Sequence, residues 1–247
     1  MRRPNLCNNS VGVADDAYKP TQHSNKEEGR VSLMRRVLGG ATRKKEAANS
    51  TTQVQKPLFG VPLGDLPLTN HMVPKILHRM CTFIDIYGMN VEGLFCLTTS
   101  NIPPVVERLK LQFNVEGDAD LESCTNDASA VASLLKIWLK DLPQPLLSQE
   151  LTSELVTLMH KYDGDTWWGP VCFENISTSG VLPTTVLDSV LRLLYNYTNK
   201  HPATLTYIPG VFCPLLTCGE FRGVATPDTA QLTAKLIQDY NFIFNKR

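Results

Sequence analysis

From residue 73 onward apolar side chains recur every three or four positions, the period of helices that each bury one face. Val73, Ile76, Leu77, Met80, Ile84 and Tyr87 mark a first helix, with Pro74 suited to its opening turn and Gly88 to its end. A second runs from about Pro103 to Phe113 on Val105, Val106, Leu109 and Phe113. Asp127 is a good N-cap for a third, whose stripe of Val131, Leu134, Leu135, Trp138, Leu139 and Leu142 stops at Pro143. Further helical patterns cover about Glu150–Lys161, Thr185–Lys200 and Pro227–Phe244, and no alternating run competes as a strand. The pattern predicts an all-α bundle of roughly seven to nine helices.

Three stretches depart from this period. Leu58-Phe59-Gly60-Val61-Pro62-Leu63 is an irregular apolar run expected to plug against the helices. Gly164 to Gly180, with adjacent Trp167 and Trp168, reads as a long surface loop whose tryptophans pack back onto the body. Residues 1–56 are polar, and their one apolar cluster, Val31 to Leu38, is too short to bury a core. They read as a disordered tail, with room for a short helix at Leu33–Val37 and a basic phosphosite context at Ser32, ahead of a domain at 57–247.

Charge sharpens that division. The 247 residues carry no net charge, yet residues 1–56 hold eleven Lys/Arg against five Asp/Glu, and residues 57–247 thirteen against nineteen. A basic tail therefore precedes an acidic body. No basic footprint for nucleic acid falls on the body, and any membrane contact belongs to the tail. No window holds the roughly 18 apolar residues of a membrane span, and Met1 to Pro20 lacks the apolar core of a secretory signal. The expected location is cytoplasmic, with peripheral membrane contact at most. Four Asn-x-Ser/Thr matches, at Asn8, Asn49, Asn175 and Asn196, carry no weight without such a signal. Seven cysteines, at 7, 81, 96, 124, 172, 213 and 218, form no close C-x-x-C pair, so neither a zinc site nor a disulfide framework is expected.

Four strings, in order, resemble the Rho GTPase-activating (RhoGAP) domain. They are Phe59-Gly60-Val61-Pro62-Leu63; Val91-Glu92-Gly93-Leu94-Phe95-Cys96-Leu97-Thr98-Thr99; the specific helix string Leu134 to Leu147, read LLKIWLKDLPQPLL; and a weaker one at Tyr207 to Leu216. The similarity spans about residues 58 to 246. It implies a fold that binds the GTP-loaded form of a Rho-family GTPase and acts on it in trans, with no cofactor of its own. It also implies an arginine pushed from the second string into the nucleotide site.

That arginine's position is Cys96. A guanidinium is permanently charged, planar and able to bond two oxygens at once, which suits charge developing on a leaving phosphate. A thiol is short, a poor donor and mostly neutral near neutral pH. Residues 98–104 supply no substitute cation, and Arg79 and Arg108 fall on flanking helices. Other departures are Thr99 for a glycine, Lys140 for an arginine, and Tyr207 and Leu215 for asparagines. Packing residues such as Leu134, Trp138 and Pro143 keep the pattern, as in a retained fold with a lost activity. Cys96 itself reads as a small, semi-buried loop residue, with a reactive cysteine the alternative.

Lys136 and Lys140, four residues apart, should project together near the exposed side of the third helix. By resemblance Lys136, Lys140, Tyr207 and Leu215 lie on the GTPase-binding surface, and Lys136 is the best remaining functional residue. The expected function is a regulator of small-GTPase signalling with activation lost or weak. Two rivals stay open: an active GTPase activator using another cation, or a scaffold that no longer binds GTPases and works through Trp167, Trp168 or the tail. A hydrolase in its own right is disfavoured, since there is no G-x-S-x-G and no Gly-rich phosphate loop.

Overall fold

A computed structural model describes residues 57–96, 103–217 and 226–244. The expected tail, with Leu33–Val37 and Ser32, lies outside the described residues. Those residues form an all-α bundle of ten helices, eight of them nine residues or longer, with two isolated bridges and no strand. The eight long helices are α1 (Lys75–Phe83), α2 (Pro104–Glu116), α4 (Ala128–Asp141), α5 (Gln149–Lys161), α6 (Trp168–Ser177), α7 (Val181–Lys200), α8 (Ile208–Leu216) and α9 (Pro227–Gln238). The short ones are α3 (Leu121–Cys124) and α10 (Tyr240–Phe244).

The helix α4 is the axis of the core. The Asp127 carboxylate caps it by accepting from the Ser129 N–H at 2.9 Å, and the chain leaves at Leu142 before Pro143. Every residue from Ala128 to Leu139 except Ser129 is buried, so the helix is enclosed on all sides rather than along one stripe. The helices α1, α2 and α8 pack against it. The 58–63 run plugs in as expected. Leu58 and Phe59 are buried, both their N–H groups donate to Asn114 Oδ1 of α2, and the Trp138 indole N–H donates to the Leu58 carbonyl at 3.1 Å.

Four local readings change. The stretch 164–180 is not a loop throughout, since α6 occupies its middle with Trp168, Cys172 and Ile176 buried at four-residue spacing. Gly169 lets α10 lie directly on α6; a Cβ there would stand 2.6 Å from the Phe242 carbonyl oxygen. The two tryptophans also part: Trp168 is 1 % exposed and Trp167 63 %. Tyr87, expected on the buried stripe, is 50 % exposed. Here the chain winds as a π-turn over Ile84–Gly88, which lengthens the repeat and rotates Tyr87 outward while Ile84 and Gly88 stay inside. The last predicted helix divides at Asp239 into α9 and α10.

Candidate functional site

The π-turn ends at Gly88, where the bundle is too tight for a side chain: a Cβ would lie 3.0 Å from Ile84 Cγ2 and 3.2 Å from Leu94 Cδ2. The chain can therefore fold straight into the loop that carries Cys96. Gly93, at φ +67°, takes a left-handed conformation that glycine adopts without strain, and the Cys96 N–H closes the turn on the Gly93 carbonyl at 2.8 Å. Leu94 and Phe95 plunge inward, both fully buried. The Phe95 ring wedges edge-on between Tyr197 of α7, at 5.1 Å, and Phe212 of α8, at 5.2 Å. With its two predecessors anchored, Cys96 emerges at the surface. It is exposed, not the semi-buried residue expected from sequence.

Beneath the loop lies Lys136, and its placement corrects the sequence reading. The side chain does not project near the exposed side of α4; at 2 % exposure it is among the most buried large side chains. Its ammonium donates to the Phe95 carbonyl at 3.0 Å. Burial lowers its proton affinity, an effect that proximity to Cys96 partly opposes. Lys136 is thus a strut under the loop. Lys140, one turn further along α4, is exposed, so the two lysines do not share an environment.

Tyr207 precedes α8 and joins Cys96 around a hollow of about 360 Å³, with Glu92, Gly93, His201 and Thr204 also in its wall. The Tyr207 hydroxyl oxygen is sealed from solvent without a hydrogen-bond partner among the described residues. Burial, then the nearby Cys96 and Tyr197, drive its pKa upward, so it stays a neutral phenol. Leu215 is half-buried near the other end of α8, eight residues or about 12 Å along the helix axis. Of the sequence-predicted residues, Cys96, Lys136 and Tyr207 therefore gather at the loop. Lys140 and Leu215 are not among the residues lining the hollow.

The two arginines of the flanking helices have partners of their own. Arg79 makes a two-pronged pair with Asp118, at 3.2 and 3.0 Å, and Arg108 reaches the Cys124 carbonyl at 3.4 Å. Two residues absent from the sequence reading complete the site. The Tyr197 hydroxyl bonds to Val91 and Leu94, and the His201 ring bonds to the Met89 carbonyl. Tyr197 hides within a helical stripe of core residues; the available signal was that a buried phenol needs a partner.

The RhoGAP domain model matches residues 74–207, more than half of the chain and inclusive of the loop, α4 and Tyr207. Rho GTPase-activating protein gacY of Dictyostelium discoideum is 33 % identical over 106 residues, covering 42 % of this chain and 14 % of that protein. GTPase-activating protein rrc-1 of Caenorhabditis elegans is 29 % identical over 157 residues, covering 62 % and 19 %. The chain spans less than a fifth of the length of these curated relatives. Among solved structures, human Rho GTPase activating protein 15 superposes with a TM-score of 0.64 at 18 % identity, covering 77 % of this chain and 93 % of that one. The BH domain of GRAF, the GTPase regulator associated with focal adhesion kinase, gives 0.57 at 18 %, covering 69 % and 93 %. The helical order, the loop wedged on α7 and α8, and the match across 74–207 lead to one assignment: this chain belongs to the RhoGAP domain family.

Proposed function

We propose that this domain regulates small-GTPase signalling by binding GTP-loaded Rho-family GTPases, with little or no acceleration of their hydrolysis. The observation that carries the reading is Cys96, exposed just past the anchored residues of the loop, where the family resemblance calls for an arginine. A thiol there offers no charge to a departing phosphate. An arginine supplied to a GTPase is worth about 10³ to 10⁵ in rate, or roughly 4 to 7 kcal/mol of barrier. The loop residues that follow, Leu97 to Ile102, contain no Lys or Arg. Arg79 and Arg108 are tied to α3 and the turn before it. Bound without a catalytic cation, the domain would shield a GTP-loaded partner or compete with active regulators. Such a role belongs in the cytoplasm, with any membrane contact falling to residues 1–56.

The test is single-turnover GTP hydrolysis by a panel of Rho-family GTPases, with wild type and Cys96→Arg side by side. Wild type should accelerate hydrolysis less than about tenfold, and Cys96→Arg should raise the rate at saturating domain. Strong acceleration by wild type would instead mean an active regulator with another cation. A scaffold reading would follow if neither the GTP-loaded nor the GDP-loaded form is retained in pull-down.

A further inference from the structure

We infer that Tyr197 is a positioning residue for the side chain at position 96, its hydroxyl fixing the 91–95 turn from behind. The inference rests on the reading above, that this loop faces the nucleotide of a bound GTPase. Tyr197 sits near the C-terminal end of α7 with no exposed surface, so its hydroxyl must be satisfied within the protein. One oxygen meets both sides of the turn. It donates to the Val91 carbonyl at 2.8 Å and accepts from the Leu94 N–H at 3.1 Å. These partners stand 106 and 103 residues away in the chain, so only the packing of α7 against the loop brings them together.

His201 repeats the device one helical turn later. Its ring lies 4.7 Å from the Tyr197 ring, and Nε2 is 3.0 Å from the Met89 carbonyl, which requires that nitrogen to carry a proton and donate. The segment is thereby held at residues 89, 91 and 94 by side chains at and just beyond the end of a single helix. Position 96 lies two residues past the last of these anchors, and its own N–H closes back on Gly93. The direction of its side chain follows from a turn that cannot pivot. Phenylalanine at 197 keeps the ring against Phe95 and removes only the oxygen, leaving the buried Leu94 N–H without an acceptor.

Amide hydrogen exchange on the full chain tests the clamp. In Tyr197→Phe the Leu94 amide should exchange about tenfold or more faster, while amides of α4 keep wild-type rates. Unchanged protection at Leu94, or equal loosening across α4, would overturn the inference, the latter by reducing Tyr197 to a packing residue. A second arm adds Tyr197→Phe to Cys96→Arg. The maximal single-turnover rate should fall about tenfold with half-saturation within twofold of the single variant. An unchanged rate, or a shift in half-saturation alone, would overturn the positioning role. If Cys96→Arg activates no GTPase in either background, the GTPase-facing assignment fails, and Leu94 exchange still decides the clamp.

Discussion

Replacing Lys136 with methionine separates two opposed contributions of one ammonium. The first is its charge-assisted hydrogen bonding, which includes the 3.0 Å bond to the Phe95 carbonyl, a kind worth about 1.5 to 3 kcal/mol. The second is the cost of holding an ion at 2 % exposure, which amounts to several kcal/mol and often matches or exceeds what its bonds return. Methionine is unbranched and fills most of the same space. The two effects should nearly cancel, so that global stability at neutral pH changes by less than about 1.5 kcal/mol. The pH dependence carries the sign. Because burial places the folded-state pKa of Lys136 below its ordinary 10.5, the folded chain binds this proton more weakly than the unfolded chain. Stability of wild type relative to Lys136→Met should therefore rise as pH climbs toward 10.5, and the difference should flatten at lower pH. Urea unfolding of both chains at about pH 7 and about pH 9.5, with unchanged slopes, reads this out. A loss above about 3 kcal/mol at neutral pH, or a difference that falls as pH rises, would refute the reasoning and make the ammonium a net stabilising ion.

Trp138→Phe should cost about 2 to 3 kcal/mol in urea unfolding, since it trims a fully buried ring and leaves the Leu58 carbonyl without its indole donor. A loss below about 1 kcal/mol would contradict that account. Two glycine-to-alanine changes should have opposite signs. Gly169→Ala drives a Cβ to 2.6 Å from the Phe242 backbone and should destabilise by about 1 to 3 kcal/mol. Gly210→Ala, within α8 and with nothing within 4 Å, should stabilise by about 0.5 to 1 kcal/mol. Thermal unfolding of the pair decides it, and shifts of the same sign would count against the packing described for α6 and α10.

What sequence patterning made legible was whatever depends on neighbours within a turn or two. The Asp127 cap, the α4 stripe and the stop before Pro143 are all read from local chemistry. The helix α6 was missed because Gly169, Pro170 and a polar C-terminal end mask the four-residue spacing of Trp168, Cys172 and Ile176. The break at Asp239 was missed because apolar residues resume directly after it. The π-turn that turns Tyr87 outward leaves the apolar period almost intact, so spacing alone assigns that residue to the wrong side.

The candidate site divides the same way. That position 96 holds a cysteine, with no permanent charge, is a fact of the chain itself. Burial of Lys136, exposure of Cys96 and the hold of Tyr197 on Val91 and Leu94 belong to the tertiary structure. Each arises where a helix meets a loop from a distant part of the chain. Periodicity tells which face of a helix is apolar; it does not tell which backbone carbonyl will come to rest against that face, and a buried ammonium or phenol is tolerated only where one does.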